Sequence, residues 1–385
     1  MDYSFLSPVQ DRLIDRLALQ HSQVIGQTLR IHTTALEPDL EGVKMAIVGV
    51  LESRNSVDYI GEDFQFLEIR KAFYSLFPGN WIHEIADLGD IQKGESVEDT
   101  YFALIQVVSS LIKANIIPII IGGSQDLTYA NYRAYDKISS MINVVNIDKS
   151  FDLGDSSKPI TNESYLGKII LEQPYNLFNY TALGFQTYFN SQEEIDLMEK
   201  LYFESYRLGA IIPKISVVEP VLRDADLVTL DINAVKSSEV SPKQKYSPNG
   251  FNGREICAIS RYAGISNKVT SFGVYEYNPS QDDEATAMLI AQVIWYFVEG
   301  VNCRIKDDDF KDLSSYLKFT VLVESEELVF FKSKKTDRWW IEIPFLEYSN
   351  TKSKQHPLLA CTYEDYVSAT AGVIPERWYK AYKKN

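Results

Sequence analysis

Three short apolar segments, each ending in polar residues, limit the fold of this chain more than any other feature. They are residues 116–126, which end in Gly-Gly-Ser-Gln-Asp, residues 143–152, which end in Asp-Lys-Ser-Phe-Asp, and residues 227–235, which contain Asp-Ile-Asn. Short β-branched segments of this kind are typical of buried strands in α/β proteins, and ligands bind where such strands end. Three strand ends that bring oxygen ligands to one place would form a site for a hard cation.

Strand-like and helix-like segments alternate from residue 44 to residue 300. Residues 44–51 have the apolar character of a buried strand, whereas residues 97–112 and 253–263 place apolar side chains at helical spacing. This alternation predicts a mostly parallel sheet with helices on both faces. Further strands are predicted at 81–88, 180–185, 210–212 and 269–275. Further helices are predicted at 64–77, 192–203 and 282–298.

By composition, the chain divides into three parts. A polar, weakly patterned N-terminal arm (1–40) precedes an α/β domain (41–305), and a C-terminal extension (306–385) begins with a charged segment. Residues 317–331 and 338–345 are predicted strands without intervening helices. We therefore expect the extension to be β-rich and helical and to pack on the core. Its Trp339-Trp340 pair either forms a binding platform or packs the extension against the domain.

Composition and charge exclude several classes of partner. The net charge of −15 argues against nucleic acid and anionic membrane, because both are bound by clustered Lys and Arg. Cys257, Cys303 and Cys361 are scattered and odd in number, which is typical of reduced thiols rather than a disulfide framework. The N-terminus has no signal-peptide pattern, and apolar runs such as 287–298 are too short to span a bilayer. We therefore expect a soluble, cytoplasmic protein.

The three strand ends resemble motifs of the arginase/agmatinase/formimidoylglutamase (ureohydrolase) family. Its members carry Gly-Gly-Asp-His-Ser, Asp-Ala-His-x-Asp and Ser-x-Asp-x-Asp at the ends of parallel strands, where they hold two manganese ions. The corresponding segments here are residues 122–126, 148–152 and 229–233. Segments 61–77, 87–90 and 275–279 also resemble family motifs, in the right order. The resemblance implies a three-layer α/β fold with a mostly parallel eight-stranded sheet, plus the C-terminal extension.

The resemblance also implies six metal-ligand positions, three of which carry a different side chain in this chain. The six are Gln125, Asp148, Ser150, Asp152, Asp231 and Asn233. Gln125 and Ser150 stand where the family has histidines, and Asn233 stands where it has an aspartate. Manganese is thus the implied cofactor, two ions in the family.

The three replaced ligands are expected to weaken metal binding unequally at the two positions. The first corresponds to Gln125 and the three aspartates, and it keeps three carboxylates and an amide oxygen, which suit one weakly bound hard cation. The second corresponds to Ser150, Asn233 and two of those aspartates, and it loses its imidazole and one carboxylate. We therefore expect one weak hard cation or none. Lys149 places a positive charge beside the carboxylates, where it can offset charge left without metal.

Simpler explanations exist for several of these features. Without the resemblance, the strand-end aspartates would be solvated carboxylates or helix caps. Gly122-Gly123 forms a phosphate-binding turn or, more simply, a tight turn, since the G-x-G-x-x-G pattern is missing. His83 is predicted to be a core residue inside a strand. Residues 156–167 match the region where arginases carry a proton-shuttling histidine, and they contain none.

Two functional hypotheses follow. In the first, the chain is a ureohydrolase homologue with a degraded dimanganese site, catalytically impaired or inactive, that binds a small ligand or a protein partner. In the second, it is an active metal-dependent hydrolase of C–N bonds in linear guanidino or formimidoyl substrates, with Asp148, Asp231 and Glu276 as catalytic residues. Glu276 matches the family residue that faces the substrate guanidinium, so its retention indicates a residual binding cleft or structural inheritance. The resemblance also implies a homo-oligomer.

Overall fold

A nine-stranded sheet forms the centre of the molecule, within the residues that the computed structural model describes: 2–57, 65–139, 141–155, 157–240, 247–277, 284–307, 313–344 and 358–384. Its strands are β1 (Arg30–Ile31), β2 (Val43–Val50), β3 (Glu84–Ile91), β4 (Ile117–Gly122), β5 (Ile142–Ile147), β6 (Leu177–Phe185), β7 (Glu204–Arg207), β8 (Leu227–Asp231) and β9 (Ser271–Tyr275). They are ordered β1-β3-β2-β4-β9-β8-β5-β6-β7, and every neighbouring pair is parallel. Because β4, β9, β8 and β5 are adjacent, their carboxyl ends lie side by side.

Helices cover both faces of this sheet. They are α1 (Asp11–Leu17), α2 (Leu67–Ser75), α3 (Val97–Lys113), α4 (Leu127–Arg133), α5 (Tyr165–Leu171), α6 (Gln192–Lys200), α7 (Leu208–Ile211), α8 (Glu219–Arg223), α9 (Gly253–Ile265) and α10 (Ala285–Asn302). Short 3₁₀ segments lie at Ile25–Gln27, Thr187–Phe189, Ile212–Val218 and Ile232–Ala234. Met45 and Ile47 pack with α2, α9 and α10, whereas Ala46 and Val48 pack with α3, because successive side chains of a strand point to opposite faces. The predicted three-layer α/β fold is therefore confirmed.

The sheet has nine strands rather than the predicted eight. The additional strand is β1, where Arg30 pairs with Ala86 and Ile31 with Asp87 inside the segment assigned to the N-terminal arm. Two half-buried residues carry no recognisable pattern. The predicted strand at 210–212 is also wrong, because Leu208–Ile211 is helical and the edge strand is Glu204–Arg207. An edge strand needs little apolar surface, so the polar sequence Glu-Ser-Tyr-Arg gave no strand signal.

One helix among those described, α10, is long and apolar enough to cross a membrane by length and composition. The expectation that this apolar run is too short for that was based on residues 287–298, whereas the helix has 18 residues. Of these residues, 61% are buried, and the helix packs against α9 and α2. Buried core helices commonly have this composition.

The C-terminal extension forms a second, antiparallel sheet. Its strands are β10 (Tyr316–Val323), β11 (Glu326–Ser333), β12 (Trp339–Glu342) and β13 (Leu358–Cys361), followed by helices α11 (Tyr363–Thr370) and α12 (Glu376–Lys384), and a 3₁₀ turn at Leu313–Ser315 precedes them. The single strand predicted at 317–331 is thus a hairpin, and β13 was missed. Trp339 stacks on Phe319 and Tyr366, with ring centroids 5.2 and 5.1 Å away.

Two arginines join the extension to the α/β domain. The Arg223 guanidinium donates hydrogen bonds to the carbonyl oxygens of Trp339 and Cys361, both at 3.1 Å, and lies 4.6 Å from the Trp340 ring centroid. Arg377 donates to Glu204 Oε2 at 2.7 Å and to Asp224 Oδ2 at 3.1 Å. Both tryptophans are buried, which favours packing over an open binding platform. The boundaries of the three parts stay a prediction.

A buried ion network joins two of the sequence segments that resemble family motifs. Arg70 of α2 donates to Asp87 Oδ2 at 2.9 Å and to Asp90 Oδ1 at 2.8 Å, both on β3, and Tyr74 donates to Asp87 at 2.8 Å. Burial alone would lower the pKa of the Arg70 guanidinium, but Asp87 and Asp90 raise it above its ordinary value. The network thereby fixes α2 on β3.

Replacing Arg70 with alanine should lower the free energy of unfolding by about 3–5 kcal/mol, because Asp87 and Asp90 would remain buried without a counter-charge. Chemical denaturation measures this change. Arg12→Ala is the control, since Arg12 is exposed on α1 and its replacement should cost less than about 0.5 kcal/mol. A loss for Arg70→Ala as small as that of the control would contradict a stabilising role for the network.

Candidate functional site

The fold brings the sequence-predicted site residues to one edge of the sheet. Gln125 follows β4, Asp148 follows β5, Asp231 ends β8 and Glu276 follows β9. Two hydrogen bonds link these strand ends directly: the Gln125 backbone N–H donates to Glu276 Oε1 at 2.8 Å, and Gln125 Nε2 donates to Asn146 Oδ1 of β5 at 3.0 Å. All four side chains are buried. These bonds join the ends of β4, β5 and β9, and Asp231 ends β8, the strand between β9 and β5.

Three carboxyl groups form the centre of the site. Burial raises the pKa of Asp148 well above its usual range, and the charge of Asp152 raises it further. Burial likewise raises the pKa of Asp231, followed by the charges of Asp148 and Glu276. The pKa of Asp152 is raised to about 7, again mainly by burial. Carboxyl groups that repel one another in the interior need either protons or a cation beside them.

Lys149 is the basic side chain that acts on these carboxyl groups. Its positive charge lowers the pKa of Asp148 and of Asp231, in opposition to burial. Its Nζ lies 5.2 Å from the centroid of the Phe189 ring, and the residue is buried. The predicted cation beside the site is therefore present, and it offsets the carboxylate charge in part.

The three aspartates bond to their own neighbouring residues. Asp148 Oδ1 accepts the backbone N–H of Lys149 at 2.5 Å and that of Ser150 at 3.3 Å. Asp231 Oδ1 accepts the Asn233 backbone N–H at 2.6 Å and caps the 3₁₀ turn that begins there. Ser150 Oγ donates to Asp152 Oδ1 at 2.8 Å. The capping explanation thus holds for Asp231, whereas Asp148 and Asp152 each bond one oxygen to donors within two residues without capping a helix. The resemblance places the Asn233 side chain among the metal ligands. In the structure, the hydrogen bond from Asn233 to Asp231 comes from its backbone N–H.

Gln125 contributes a buried oxygen that lacks a hydrogen-bond partner. Its Nε2 donates to Asn146 Oδ1, which also accepts from Thr229 Oγ1 at 2.8 Å, and it lies 3.5 Å from the Tyr165 hydroxyl. These contacts fix the orientation of the amide and leave Oε1 unpaired among the described atoms. An unpaired buried amide oxygen beside carboxyl groups suits a hard cation. Within the described part of the chain, however, no group of three His, Cys, Asp or Glu side chains is arranged to hold a metal ion.

Glu276 is held from two sides. Its Oε1 accepts the Gln125 N–H and the Asn162 side-chain Nδ2, the latter at 3.1 Å. Asn162 Oδ1 in turn accepts the backbone N–H of Val57 at 3.0 Å. Glu276 has φ of 66° and Asp152 has φ of 56°, left-handed conformations that non-glycine residues seldom adopt and that occur at functional sites. Asn162 was missed because its contacts come from loops distant in sequence.

The glycine-rich turn after β4 is a packing feature. A Cβ on Gly122 would lie 2.4 Å from Cδ1 of Tyr275, so only glycine fits beside that ring. Beyond the turn, the Asp126 carboxyl group accepts hydrogen bonds from Ser124 and Tyr101, and burial raises its pKa. The tight-turn explanation is favoured over a phosphate site. The sequence singled out neither Tyr101 nor this hydrogen-bonded group.

The described histidines lie away from these strand ends. His32 Nδ1 is 3.0 Å from the carbonyl oxygen of Leu88, and His21 packs edge-on against Phe77. His83 precedes β3 and is half-buried, so its prediction as a core residue inside a strand is wrong. It lies at the amino end of β3, at the edge of the sheet opposite to the candidate functional site. The fourth histidine, His356, and Asp282, which continues the 275–279 motif, lie outside the described residues.

Parallel strands with helices on both faces and buried carboxylates at adjacent strand ends define an α/β protein of the class that binds ligands at the carboxyl edge of the sheet. The model of the arginase family matches residues 43–299. The chain belongs to the arginase family.

Individual relatives agree with this assignment. The formimidoylglutamase of Staphylococcus epidermidis is 28% identical over 239 residues, which cover 59% of this chain and 75% of that protein. The formimidoylglutamase of Streptococcus gordonii is 25% identical over 297 residues, which cover 72% of this chain and 90% of that protein.

Solved structures of the same family share the fold. Formimidoylglutamase from Bacillus subtilis superimposes with a TM-score of 0.65 at 19% identity, covering 74% of this chain and 95% of that chain. Formiminoglutamase from Trypanosoma cruzi, solved with Mn²⁺, gives 0.62 at 18% identity, covering 69% of this chain and 96% of that chain. At these identities the likeness concerns the fold alone.

The raised pKa of Asp152 predicts a pH dependence of stability for the metal-free protein. A carboxyl group whose pKa is higher in the folded state stabilises the fold fully below about pH 4, and this contribution is lost as the pH rises through about 7. Asp152→Asn removes the titration, so at pH 8 the variant should be more stable than the wild type by roughly 4 kcal/mol at most, and at pH 4 by much less.

Thermal unfolding in EDTA between pH 4 and pH 8 measures the difference. Asp155→Asn is the matched control, because Asp155 is exposed and its pKa is lowered by hydrogen bonds from Ser157, so its replacement should leave the profile above pH 5 unchanged. Parallel profiles for Asp152→Asn and the wild type would show that Asp152 does not carry the buried charge.

Proposed function

We propose that this chain is a ureohydrolase-family protein whose dimanganese site is degraded, so that it is catalytically impaired or inactive and acts as a binding or scaffold protein. The observation that carries the proposal is the donor set at the strand ends. Gln125 and Ser150 supply an amide and a hydroxyl where the family has imidazoles, and Asn233 supplies an amide where it has a carboxylate. Such a set fits two manganese ions poorly, because it has lost two imidazoles and a carboxylate, and the affinity for a hard cation falls with the charge of its ligands.

The local geometry supports the same conclusion. Asp148, Asp152 and Asp231 each have one oxygen engaged by a neighbouring donor, and Lys149 already supplies part of the charge that metal ions would bring. At most one hard cation would bind, and Asp148, Asp152 and Asp231 would have to rearrange around it together with the unpaired oxygen of Gln125, because the described side chains are not arranged to hold a metal ion. A bound divalent ion would supply Lewis acidity and lower the pKa of a bound water.

For the binding role, the chain offers a buried group of acidic side chains. Hydrogen bonds from the Gln125 N–H and from Asn162 orient Glu276. The charges of Glu276 and Asp148 both raise the pKa of Asp231, so the three carboxyl groups are close enough to interact. We propose a small guanidino or formimidoyl cation as the ligand, because carboxylates accept the several N–H groups of such ligands. A protein partner is the other candidate.

The alternative function is an active metal-dependent hydrolase of linear guanidino or formimidoyl C–N bonds. The observation that favours it is Glu276, which keeps its acidic side chain, its buried position and two hydrogen bonds that orient it. In this case Asp148 and Asp231 would hold the cation and Glu276 would face the substrate.

The remaining expectations also stay proposals. A cytoplasmic location is supported by Cys257, Cys303 and Cys361, which are free thiols in the structure. The charge of −15 supports partners other than nucleic acid or anionic membrane. A homo-oligomer is proposed from the family resemblance.

Metal content distinguishes the two functions. After equilibration with manganese and removal of the free ion, we expect no ion or one per chain, because the second position has lost both its imidazole and a carboxylate. Mass spectrometry of the metal measures this number, together with assays on arginine, agmatine and formimidoylglutamate. Two ions per chain, or turnover that Asp231→Ala abolishes, would refute the degraded-site proposal.

Restoring the family ligands is the complementary test. The triple variant Gln125→His, Ser150→His, Asn233→Asp should bind more manganese than the wild type, since it regains two imidazoles and a carboxylate. The matched control carries the same three changes together with Asp231→Ala, which removes a carboxylate shared by both positions. Equal manganese in the triple variant and in the wild type would mean that the three positions do not form the site.

A further inference from the structure

A group of three basic side chains lies at the edge of the sheet opposite to the candidate functional site. Lys44 is the second residue of β2, His83 immediately precedes β3, and Arg304 lies two residues after the end of α10. Contacts of neighbouring residues hold these segments together: Val43 pairs with Glu84 in the sheet, and the side-chain Oδ1 of Asn302 accepts the backbone N–H groups of Ile82 and His83 at 2.7 and 3.0 Å.

Carbonyl oxygens are the hydrogen-bond partners of this group. Arg304 Nε donates to the carbonyl oxygen of Gly264 at 2.8 Å, and its Nη2 donates to that of Val269 at 2.9 Å. Lys44 Nζ lies 3.3 Å from the carbonyl oxygen of Asn115. Carbonyl groups carry only partial negative charge, so these contacts position the side chains without neutralising them.

These three basic side chains have no carboxylate partner among the described residues. In the described part of the chain, no Asp or Glu oxygen lies within 4.0 Å of the charged atoms of Lys44, His83 or Arg304. Glu84, the residue after His83, pairs with Arg30 instead. The absence is notable in a chain with 53 acidic and 38 basic residues.

Several arginines with buried guanidinium groups have the carboxylate partners that Arg304 lacks within the described residues. Arg70 has Asp87 and Asp90, Arg377 has Glu204 and Asp224, and both have a raised pKa. Arg223, whose pKa burial lowers, still has Glu219 Oε2 at 3.1 Å.

Repulsion within the group agrees with the lack of a counter-charge. Burial lowers the pKa of Arg304 to about 10. Burial also lowers the pKa of His83, followed by the charges of Lys44 and Arg304, and the pKa of Lys44 is lowered by burial and then by Arg304. Each of the three groups would therefore gain from an anion placed among them.

We propose that Lys44, His83 and Arg304 form a binding site for a small multivalent oxyanion, such as phosphate or a dicarboxylate. The planar guanidinium of Arg304 can pair with two oxygens of such an anion, while Lys44 contributes a flexible point charge and His83 a ring N–H. The site is separate from the carboxyl groups of the candidate functional site, since it lies at the amino ends of the strands. It does not depend on the proposed function.

Thermal unfolding of the full chain in EDTA, with inorganic phosphate or succinate added against sodium chloride of equal ionic strength, tests the proposal. A saturating anion should raise the midpoint by about 2 °C or more, because it binds the folded state alone. Phosphate as the stabilising anion would identify a phosphate site, and succinate a dicarboxylate site. If neither stabilises beyond sodium chloride, the proposal is wrong.

Variants locate the effect. Lys44→Gln and His83→Gln should each weaken the anion affinity about tenfold, as expected for loss of one charge-assisted hydrogen bond. They are preferred to a change at Arg304, whose two carbonyl bonds support the fold. Lys200→Gln is the matched control, since Lys200 is exposed on α6.

The imidazole of His83 provides a second readout. Its pKa, followed by NMR with and without phosphate, should rise when the anion binds, because a neighbouring negative charge favours the protonated ring. Equal affinity in Lys44→Gln, His83→Gln and the wild type, with an unchanged His83 pKa, would show an adventitious ion only and would overturn the proposal.

Discussion

The cost of burying charge is the constraint on which the arrangement of this molecule depends. Where a charged side chain lies in the interior, the structure usually brings its partner from a distant element. Arg70 of α2 meets Asp87 and Asp90 of β3, and Arg377 of the extension meets Glu204 of β7 and Asp224. Since an unpaired buried charge costs several kcal/mol, these contacts restrict which helix packs on which strand and where the extension attaches.

At two edges of the sheet the buried charges are compensated only in part. The excess charge is negative at the carboxyl ends of the strands and positive at their amino ends. At the carboxyl ends, burial and mutual repulsion raise the pKa of Asp148, Asp152 and Asp231, and Lys149 offsets only part of their charge. At the amino ends, Arg304 has carbonyl partners and no described carboxylate. Incomplete compensation is where an external ion or a charged ligand gains most from binding, so both edges are candidate sites with different ligands.

Much of the fold could be predicted from the sequence. The strand at 44–51 and the helices at 97–112 and 253–263 were placed within about two residues, because buried strands and amphipathic helices leave strong local patterns. β1 and β7 were missed, since a two-residue strand and a polar edge strand carry almost no pattern. In the candidate site, the strand-end aspartates could be found from their motifs, whereas Asn162 and Tyr101 could not, because their partners are remote in sequence.

By itself, the sequence determined the alternation of strands and helices, the ordered motifs of the arginase family and the side chains available at each strand end. Only the tertiary structure decided how those side chains are used: that Gln125 keeps an unpaired oxygen, that each aspartate turns one oxygen to its own neighbours, and that Asn162 holds Glu276. The physical reason is the separation in sequence of the residues that interact. Local periodicity specifies elements, but hydrogen bonds and charge compensation depend on which distant residues the packed sheet brings within about 3 Å.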